Sequence, residues 1–110
     1  MNEPTKDRLH GTLDVLILKT LAAGARHGYG IARVIEDGSG EAIQVEEGSL
    51  YPALYRMERK GWIEAEWGRS ELNRRVKLYR LTPDGRRHLR REAAEWTRFA
   101  AAVTRILAAG

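Results

Sequence analysis

The stretch that decides the fold reads EEGSLYPALYRMERKGW and runs from Glu46 to Trp62. Its apolar residues recur at the spacing of an α-helix, about 100° per residue, so they share one side of that helix. The members of this side are Leu50, Ala53, Leu54, Met57 and Gly61. We therefore expect this side to pack into a protein core.

The opposite side of the same helix is polar and aromatic and does not suit a core. Its members are Gly48, Pro52, Tyr55, Arg56 and Arg59. Proline has no amide hydrogen and is tolerated where that hydrogen would have no partner, in the first turn of a helix. We therefore expect the helix to begin near Gly48 or Ser49. Its amino end then presents free N–H groups, which suit phosphate.

The composition narrows the class of protein. At 110 residues the chain has the length of one small domain. It contains no cysteine, which excludes disulfide bonds and thiolate metal ligands and agrees with a reducing cytoplasm. The polar amino-terminal sequence predicts no signal peptide, and no run approaches the roughly 18 apolar residues of a membrane helix. We therefore expect a cytoplasmic protein without a membrane segment.

The charge is divided unevenly along the chain. Residues 1–55 carry 5 basic and 8 acidic side chains, whereas residues 56–110 carry 14 and 7, so the net charge of +4 comes from the second half. A segregated positive charge favours a polyanionic partner, either nucleic acid or an anionic membrane surface. Arginine-rich faces are nevertheless more often simply solvated, so the charge alone does not choose a function.

Two helices are predicted before the decisive stretch. The first covers Leu9–Leu21 and stops at Gly24, which can take the left-handed conformation that ends helices. The second begins after His27, the expected cap, and ends at Gly38, and a short extended segment follows at residues 43–45. The residues expected on the inner side of the second helix are Tyr29, Ile31, Ala32, Val34 and Ile35.

A β-hairpin and a long helix are predicted after it. Residues 62–81 alternate between apolar and polar side chains on both sides of a turn-forming segment, and the tip and return strand are basic. The spacing leaves open which side of the return strand faces inward. Thr82 as cap and Pro83 at the first position begin the last helix. The apolar residues of that helix are spaced 4, 3, 4, 3, 4, as in a coiled coil: Leu89, Ala93, Trp96, Ala100, Val103 and Leu107.

Three helices followed by a hairpin form the layout of a winged helix-turn-helix, in which the third helix enters the major groove of DNA. The polar side of that helix then gains a partner. Arg56, Arg59 and Tyr55 would meet base edges or phosphate. Ser49 and Tyr51 would position the helix on the DNA backbone, although Tyr51 lies at the boundary between the two sides and is as well suited to the core.

The basic hairpin would act as the wing and reach along the duplex. Its candidate DNA contacts are Arg69, Arg74, Arg75 and Lys77. Other winged helices bind proteins instead of DNA, so a protein-interaction module is the alternative function. A second alternative is a membrane-surface binder that uses the basic, amphipathic last helix, but a partner helix explains its apolar seam better.

Four segments resemble the PadR family of bacterial transcription regulators in order and spacing, from about Leu9 to the end. They are GTLDVLILKTL, HGYGIARVI, EEGSLYPALYRMERKGWI and SELNRRVKLYRLTPDGRR. The resemblance implies a homodimeric transcription regulator on a palindromic operator. We expect a repressor, although the sequence leaves activation open. It implies a mainly α (α+β) fold, with a winged-helix DNA-binding domain at residues 1–82 and a single carboxy-terminal dimerisation helix at residues 83–110. Gly30 and Leu72 depart from the family pattern, which leaves open the stiffness of the second helix and the contact of the wing tip.

The resemblance also implies where two subunits meet, namely where the last helix of one chain packs on the first helix of the other. The expected interface residues are Leu9, Leu13, Leu89, Ala93, Trp96, Phe99, Ala100, Val103 and Leu107. Several family members are thought to admit planar aromatic compounds at that interface, so Trp96 and Phe99 are the candidate effector-binding residues. The alternative for Trp96 is packing alone.

Catalysis and metal binding are not expected. His10, His27 and His88 lack metal-ligand spacing and have no cysteine companions. No serine is accompanied by a credible histidine and carboxylate, and no phosphate-binding loop occurs. We therefore expect neither an enzyme nor a bound metal or cofactor.

Overall fold

Four helices and three strands make up the part of the chain that the computed structural model describes, residues 4–110, with side chains described from residue 11 onward. In chain order they are α1 (Pro4–Ala22), β1 (Arg26–His27), α2 (Gly28–Gly38), α3 (Glu47–Arg59), β2 (Ile63–Arg69), β3 (Arg75–Leu81) and α4 (Pro83–Ala108). The strands form one antiparallel sheet in the order β1-β3-β2. This arrangement confirms the predicted mainly α winged helix-turn-helix with a long last helix.

The core lies where the first three helices meet the root of the hairpin. Four of the five residues predicted on the inner side of α3 are buried, namely Leu50, Ala53, Leu54 and Met57. The fifth, Gly61, is exposed because the helix ends at Arg59, before it. The other members of the buried cluster are Ile17, Leu18, Leu21, Ile31, Ala32, Ile35, Ile63, Tyr79 and Leu89. Because the apolar side of α3 is used in this way, its polar side remains exposed.

The start of α3 differs from the expectation. The helix begins at Glu47, and the carbonyl of Glu46 accepts the first bonds, from the amides of Ser49 and Leu50 at 3.0 and 2.9 Å. Pro52 is therefore the sixth helical residue and lies beyond the first turn. The carbonyl one turn before it, that of Gly48, loses its usual donor, but Gly48 is exposed and water can replace that donor.

The start and end of α2 are as predicted. His27 caps the helix, because its Nδ1 accepts a hydrogen bond from the amide of Gly30 at 3.1 Å, and the helix ends at Gly38. The predicted inner side of α2 is only partly right, because two of its five members do not face the core. Ile31, Ala32 and Ile35 are buried, whereas Tyr29 and Val34 are exposed.

Two local features of the backbone were not predicted correctly. Arg26 and His27 form β1 and pair with Tyr79 and Leu78 of β3. This strand was not predicted, because an alternating pattern cannot be recognised in two residues. Residues 43–45 are irregular and do not form the expected extended strand. The amide of Val45 instead donates to the Glu36 carboxylate at 2.9 Å, which ties this segment to α2.

The wing is the hairpin of β2 and β3, paired from Ile63 with Leu81 to Arg69 with Arg75. Its turn is closed by a hydrogen bond from the Ser70 amide to the Arg74 carbonyl at 2.9 Å, and Asn73 takes the left-handed conformation with φ of 60°. The question of which side of β3 faces inward has a mixed answer. Tyr79 is buried on one side, while Val76 and Leu78 are half-buried on the other.

The first turns of α4 belong to the packed domain. Thr82 caps the helix as predicted, accepting from the Gly85 amide at 3.0 Å. A Cβ at Gly85 would lie 1.9 Å from the Trp62 carbonyl oxygen, so α4 approaches the root of the wing at a place where only glycine fits. Leu89 is 8% exposed and packs in the core of its own chain. The division of the chain at residues 82 and 83 stays a prediction.

The rest of α4 extends beyond the domain. Its 26 residues span about 39 Å at 1.5 Å per residue, and the longest dimension of the molecule is 54 Å against 29 and 24 Å for the other two. Val103, Ile106 and Leu107 are exposed near its end. Among the described residues, no helix is long and apolar enough to cross a membrane.

Candidate nucleic-acid interface

The exposed side of α3 carries an aromatic ring beside a cation. Tyr55 is 63% exposed, and the Arg59 guanidinium lies 5.8 Å from the centroid of its ring. Ser49 and Pro52 are exposed on the same helix toward its amino end. This face combines donors, positive charge and a flat ring, which are the groups that contact phosphates and base edges.

Arg56 has a partner within the chain. Its Nη2 lies 2.5 Å from Oδ1 of Asp14 on α1, and the Asp14 side chain is only 14% exposed. The structure thus ties the Arg56 guanidinium to α1, while the side chain remains 46% exposed on the same surface as Tyr55 and Arg59. A largely buried carboxylate therefore holds Arg56, while Arg59 has no such partner among the described residues, and the DNA contacts of both arginines stay predictions.

Tyr51 combines the two possibilities that the sequence left open. Its ring lies on α2, since a Cβ placed on Gly28 would be 2.7 Å from the Tyr51 hydroxyl oxygen. The side chain is nevertheless 44% exposed. Tyr51 therefore fixes the start of α3 against α2 and still presents part of its surface beside Ser49.

The predicted wing cations differ in their surroundings. Arg74 and Arg75 are exposed near the turn. Arg69 Nη1 donates to a carbonyl of the turn at 3.2 Å and so stabilises the tip. Lys77 Nζ lies 3.4 Å from the Glu58 carboxylate of α3, which joins the wing to the helix and partly neutralises this lysine.

Trp67 is an exposed wing residue that we did not predict as a contact. It is 59% exposed, and the Arg75 guanidinium lies 4.5 Å from its ring centroid. Trp67 is an even number of residues from the buried Ile63 on β2, so both side chains lie on the same face of the sheet. The register pairs Trp67 with Lys77. The sequence alone could have indicated that Trp67 lies beside the wing cations, but only if the register of the hairpin were known. Leu72, at the tip, is also exposed.

The predicted dimer residues fall into two groups. Leu89 is buried in the core of its own chain, so the structure corrects its assignment to an interface between chains. Leu13 and Ala93 pack partly buried against the same core and stay predicted interface residues. The heptad spacing could not distinguish α1 of the same chain from a partner helix. Leu9 lies outside the residues whose side chains are described. The remaining predicted members are exposed or half-buried on α4: Trp96, Phe99, Ala100, Val103 and Leu107.

An apolar cavity of about 190 Å³ lies beside the predicted effector residue Trp96. Its lining comes from α1, α4 and the segment after α2, with Leu16, Ile43 and Ala93 among the members, whereas Phe99 is not one of the described lining residues. The Trp96 indole Nε1 donates to Thr12 Oγ1 at 2.9 Å. Trp96 thus packs on α1 and also forms one wall of the cavity.

Two side chains near the root of the wing have shifted acid–base behaviour. Burial raises the pKa of Tyr79 above its ordinary value, and the neighbouring Lys77 opposes this change. Burial lowers the pKa of His88, whose ring stacks on Trp62 with centroids 3.6 Å apart. Among the side chains that the structure describes, those of residues 11–110, no group of three or more histidines or carboxylates is arranged to hold a metal ion.

Most of the chain matches a known protein family. Residues 17–91 match the model of the transcriptional regulator PadR-like family. That family consists of transcriptional regulators, which confirms the prediction that the chain is not an enzyme.

Solved structures share the fold over nearly the whole chain. A transcriptional regulator from Clostridium thermocellum is 30% identical with a TM-score of 0.79, and the match covers 90% of this chain and 96% of that one. A PadR family regulator from Eggerthella lenta is 30% identical with a TM-score of 0.75, over 96% of this chain and 89% of that one.

Relatives are also found by sequence. An uncharacterised protein of Lysinibacillus sphaericus is 33% identical over 90 residues, which are 82% of this chain and 83% of that protein. A transposon protein of Streptomyces fradiae is 39% identical over 89 residues, which are 81% of this chain but 24% of that longer protein.

Proposed function

Since the chain belongs to the PadR-like family of transcriptional regulators and is a DNA-binding regulator, we propose that it is a homodimeric repressor. Each chain places α3 in the major groove of one half of a palindromic operator and lays its wing along the neighbouring backbone. The protein works in the cytoplasm, where the DNA is. An operator bound in this way blocks transcription of the genes beside it.

The observation that carries this proposal is the division of α3 into two sides. The apolar side is fully used by the core, and the other side presents Tyr55 and Arg59 to solvent. The exposed cations of the wing, Arg74 and Arg75, extend the positive surface. A polyanion fits such a surface better than an apolar partner does, because the exposed groups are donors and charges.

The exposed end of α4 supports the dimer. Val103, Ile106 and Leu107 form an apolar strip that the chain itself leaves in water. Burying each of these side chains against a partner is worth roughly 1.5–3 kcal/mol, so a second copy of the helix is a suitable cover. Two-fold symmetry would then place two α3 helices on the two halves of a palindrome.

The experiment that tests the function compares arginines of the two DNA-binding elements. If Arg59 reads a base edge, Arg59→Ala should cost about 1–3 kcal/mol of binding and relax the preference at one operator position. Arg74→Ala or Arg75→Ala should weaken binding to all sequences similarly and reduce the salt dependence, because these residues contact phosphates. Affinity is measured by fluorescence anisotropy at several salt concentrations.

Two results would contradict this assignment. Equal, sequence-independent losses for all three variants would remove the base-reading role from Arg59. Unchanged retardation of DNA by a variant that lacks all three arginines would mean that this face does not bind DNA. In that case the alternative, a winged-helix module that binds proteins, would be favoured.

The cavity beside Trp96 supports a further part of the proposal, release by a small planar aromatic effector. A flat apolar guest would gain both burial and ring contact there, with Phe99 closing the site only after a partner chain has joined. It would act by favouring one spacing of the two α3 helices, since a ligand with equal affinity for both arrangements changes nothing.

Trp96→Ala should abolish the response to the compound and keep most of the operator binding. Quenching of tryptophan fluorescence by the compound without release of the operator would argue against a switch.

A further inference from the structure

The two faces of the wing differ in charge. Side chains alternate along each strand, so Trp67 and Arg69 of β2 share one face with Lys77 and Arg75 of β3, to which they are paired. We call these four residues the cationic wing face. The acidic residues of β2 lie on the other face, where Arg80 binds Glu66 at 2.9 Å and Glu64 at 3.7 Å. The strands of the wing thus keep their acids, Glu64 and Glu66, and most of their cations on opposite sides.

The cationic wing face continues the surface of α3. Toward the root of the wing the same face is buried, at Ile63 and Tyr79. The contact of Lys77 with Glu58 of α3 marks the boundary, and beyond it the sheet projects past the core. A ligand lying across the exposed side of α3 can therefore reach this face.

Trp67 is out of place on this face unless something covers it. Its ring is not part of the apolar core cluster of the described residues and is 59% exposed. Tryptophan offers a large apolar area, and the Arg75 guanidinium 4.5 Å from its centroid is held with its positive charge beside the ring. The pair therefore presents an apolar surface and an oriented cation at one point.

We infer that Trp67 is a DNA-backbone contact, with its ring packed against deoxyribose while Arg75, held by the ring, binds the adjacent phosphate. The inference rests on the proposed function and adds a residue to the same interface. Charge complementarity selects duplex DNA as the occupant, because the neighbours of the ring are Arg69, Arg75 and Lys77. Sugar and phosphate are common to all sequences, so this contact adds affinity without sequence preference.

The test uses two duplexes, one recovered by the wild-type protein from a random library and one unrelated duplex of equal length. Trp67→Ala should weaken binding to both by the same factor, about 3- to 30-fold, the range of a cation–aromatic contact removed from water. The salt dependence should be unchanged, because no charge is lost. Arg75→Ala should also weaken binding to both, with a log–log salt slope smaller by about 1.

Two matched variants and a stability control make the result specific. Trp67→Phe keeps a ring and should retain most of the affinity. Glu66→Gln changes the residue directly before Trp67, whose side chain lies on the opposite face of the wing, and should not weaken binding. Trp67→Ala should unfold at the same temperature as the wild type, because the ring is exposed and outside the core.

The outcomes separate this inference from the proposed function. If the wild type binds neither duplex, both fail. If the wild type binds and Trp67→Ala binds equally well, the inference fails and the proposed function stands. If Trp67→Ala sediments as a smaller species than the wild type, the face is a contact between protein chains and the inference is overturned.

Discussion

At the scale of single residues, Arg56 and Arg59 show that two cations three positions apart on a helix can have different surroundings. Arg59 lies beside an exposed tyrosine ring, while Arg56 is bound to Asp14 of α1 at 2.5 Å. The ion pair joins α3 to α1 across 42 positions of sequence. Arg56 therefore fixes α3 against α1, and under the proposed function its loss would affect DNA binding indirectly.

Replacing Arg56 should lower the stability of the folded chain. In Arg56→Ala the Asp14 carboxylate, 14% exposed, loses its charged partner, and leaving such a group unpaired costs about 1–3 kcal/mol. Arg59→Ala is the control, because that arginine is exposed and should change the free energy of unfolding by less than about 0.5 kcal/mol. Urea unfolding followed by circular dichroism measures both, and equal stability of the two variants would contradict the role of the ion pair.

His88 should make the stability depend on pH. Burial lowers its pKa below the ordinary 6.5, so the unfolded chain takes up the proton first as the pH falls. The unfolded state then binds more protons than the folded state, and the free energy of unfolding should decrease from about pH 6.5 downward until the folded histidine is also protonated. Above that range the contribution is constant.

The variant His88→Gln isolates this effect. It removes the titrating ring, so the decrease in unfolding free energy between about pH 6.5 and 5 should become smaller than in the wild type. Urea unfolding at a series of pH values gives the comparison. The same pH dependence in both proteins would assign the effect to other groups.

At the scale of elements, the sequence was most informative where one periodic pattern had one physical cause. The inner side of α3 was predicted from 100° spacing because all its apolar residues enter a single core. The start of α3 was less predictable, because an exposed carbonyl at Gly48 can be hydrated, and Pro52 is then tolerated in the second turn.

Other errors arose where one pattern has two possible partners. The heptad spacing of α4 is satisfied at Leu89 and Ala93 by α1 and the core of the same chain, and only the later positions remain open. Trp67 was missed because its neighbours on the wing come from the other strand, and their identity requires the register. A long-range pairing of this kind leaves no trace in local spacing.

The end of α4 should control dimerisation. The variant that combines Val103→Glu and Leu107→Glu places charge on the exposed apolar strip and should shift the protein to monomers in analytical ultracentrifugation. The combination of Ala101→Glu and Thr104→Glu adds the same charge at exposed positions outside the heptad seam, and it should leave the dimer intact. A dimer in the first variant would contradict the proposed interface.

At the scale of the whole molecule, recognition of DNA by a dimer depends on the dimensions of the chain and on the length of α4. The molecule is 54 Å long and 29 and 24 Å across, and the later part of its 26-residue last helix extends beyond the packed domain. Two copies can be paired through that part of the helix. Pairing by a two-fold axis repeats α3 and the wing on both sides of the axis. The regulator would therefore read two half-sites with one surface, and its DNA affinity would depend on the dimer.

Selection from a random duplex library of about 30 base pairs, three helical turns, tests this central claim most directly. The purified protein is incubated with the library at moderate salt, and the bound DNA is amplified and sequenced over several rounds. We expect enrichment of an inverted repeat whose half-sites are centred about one helical turn or a multiple of it apart. Enrichment of a single unrepeated site, or no enrichment over the starting library, would contradict the account.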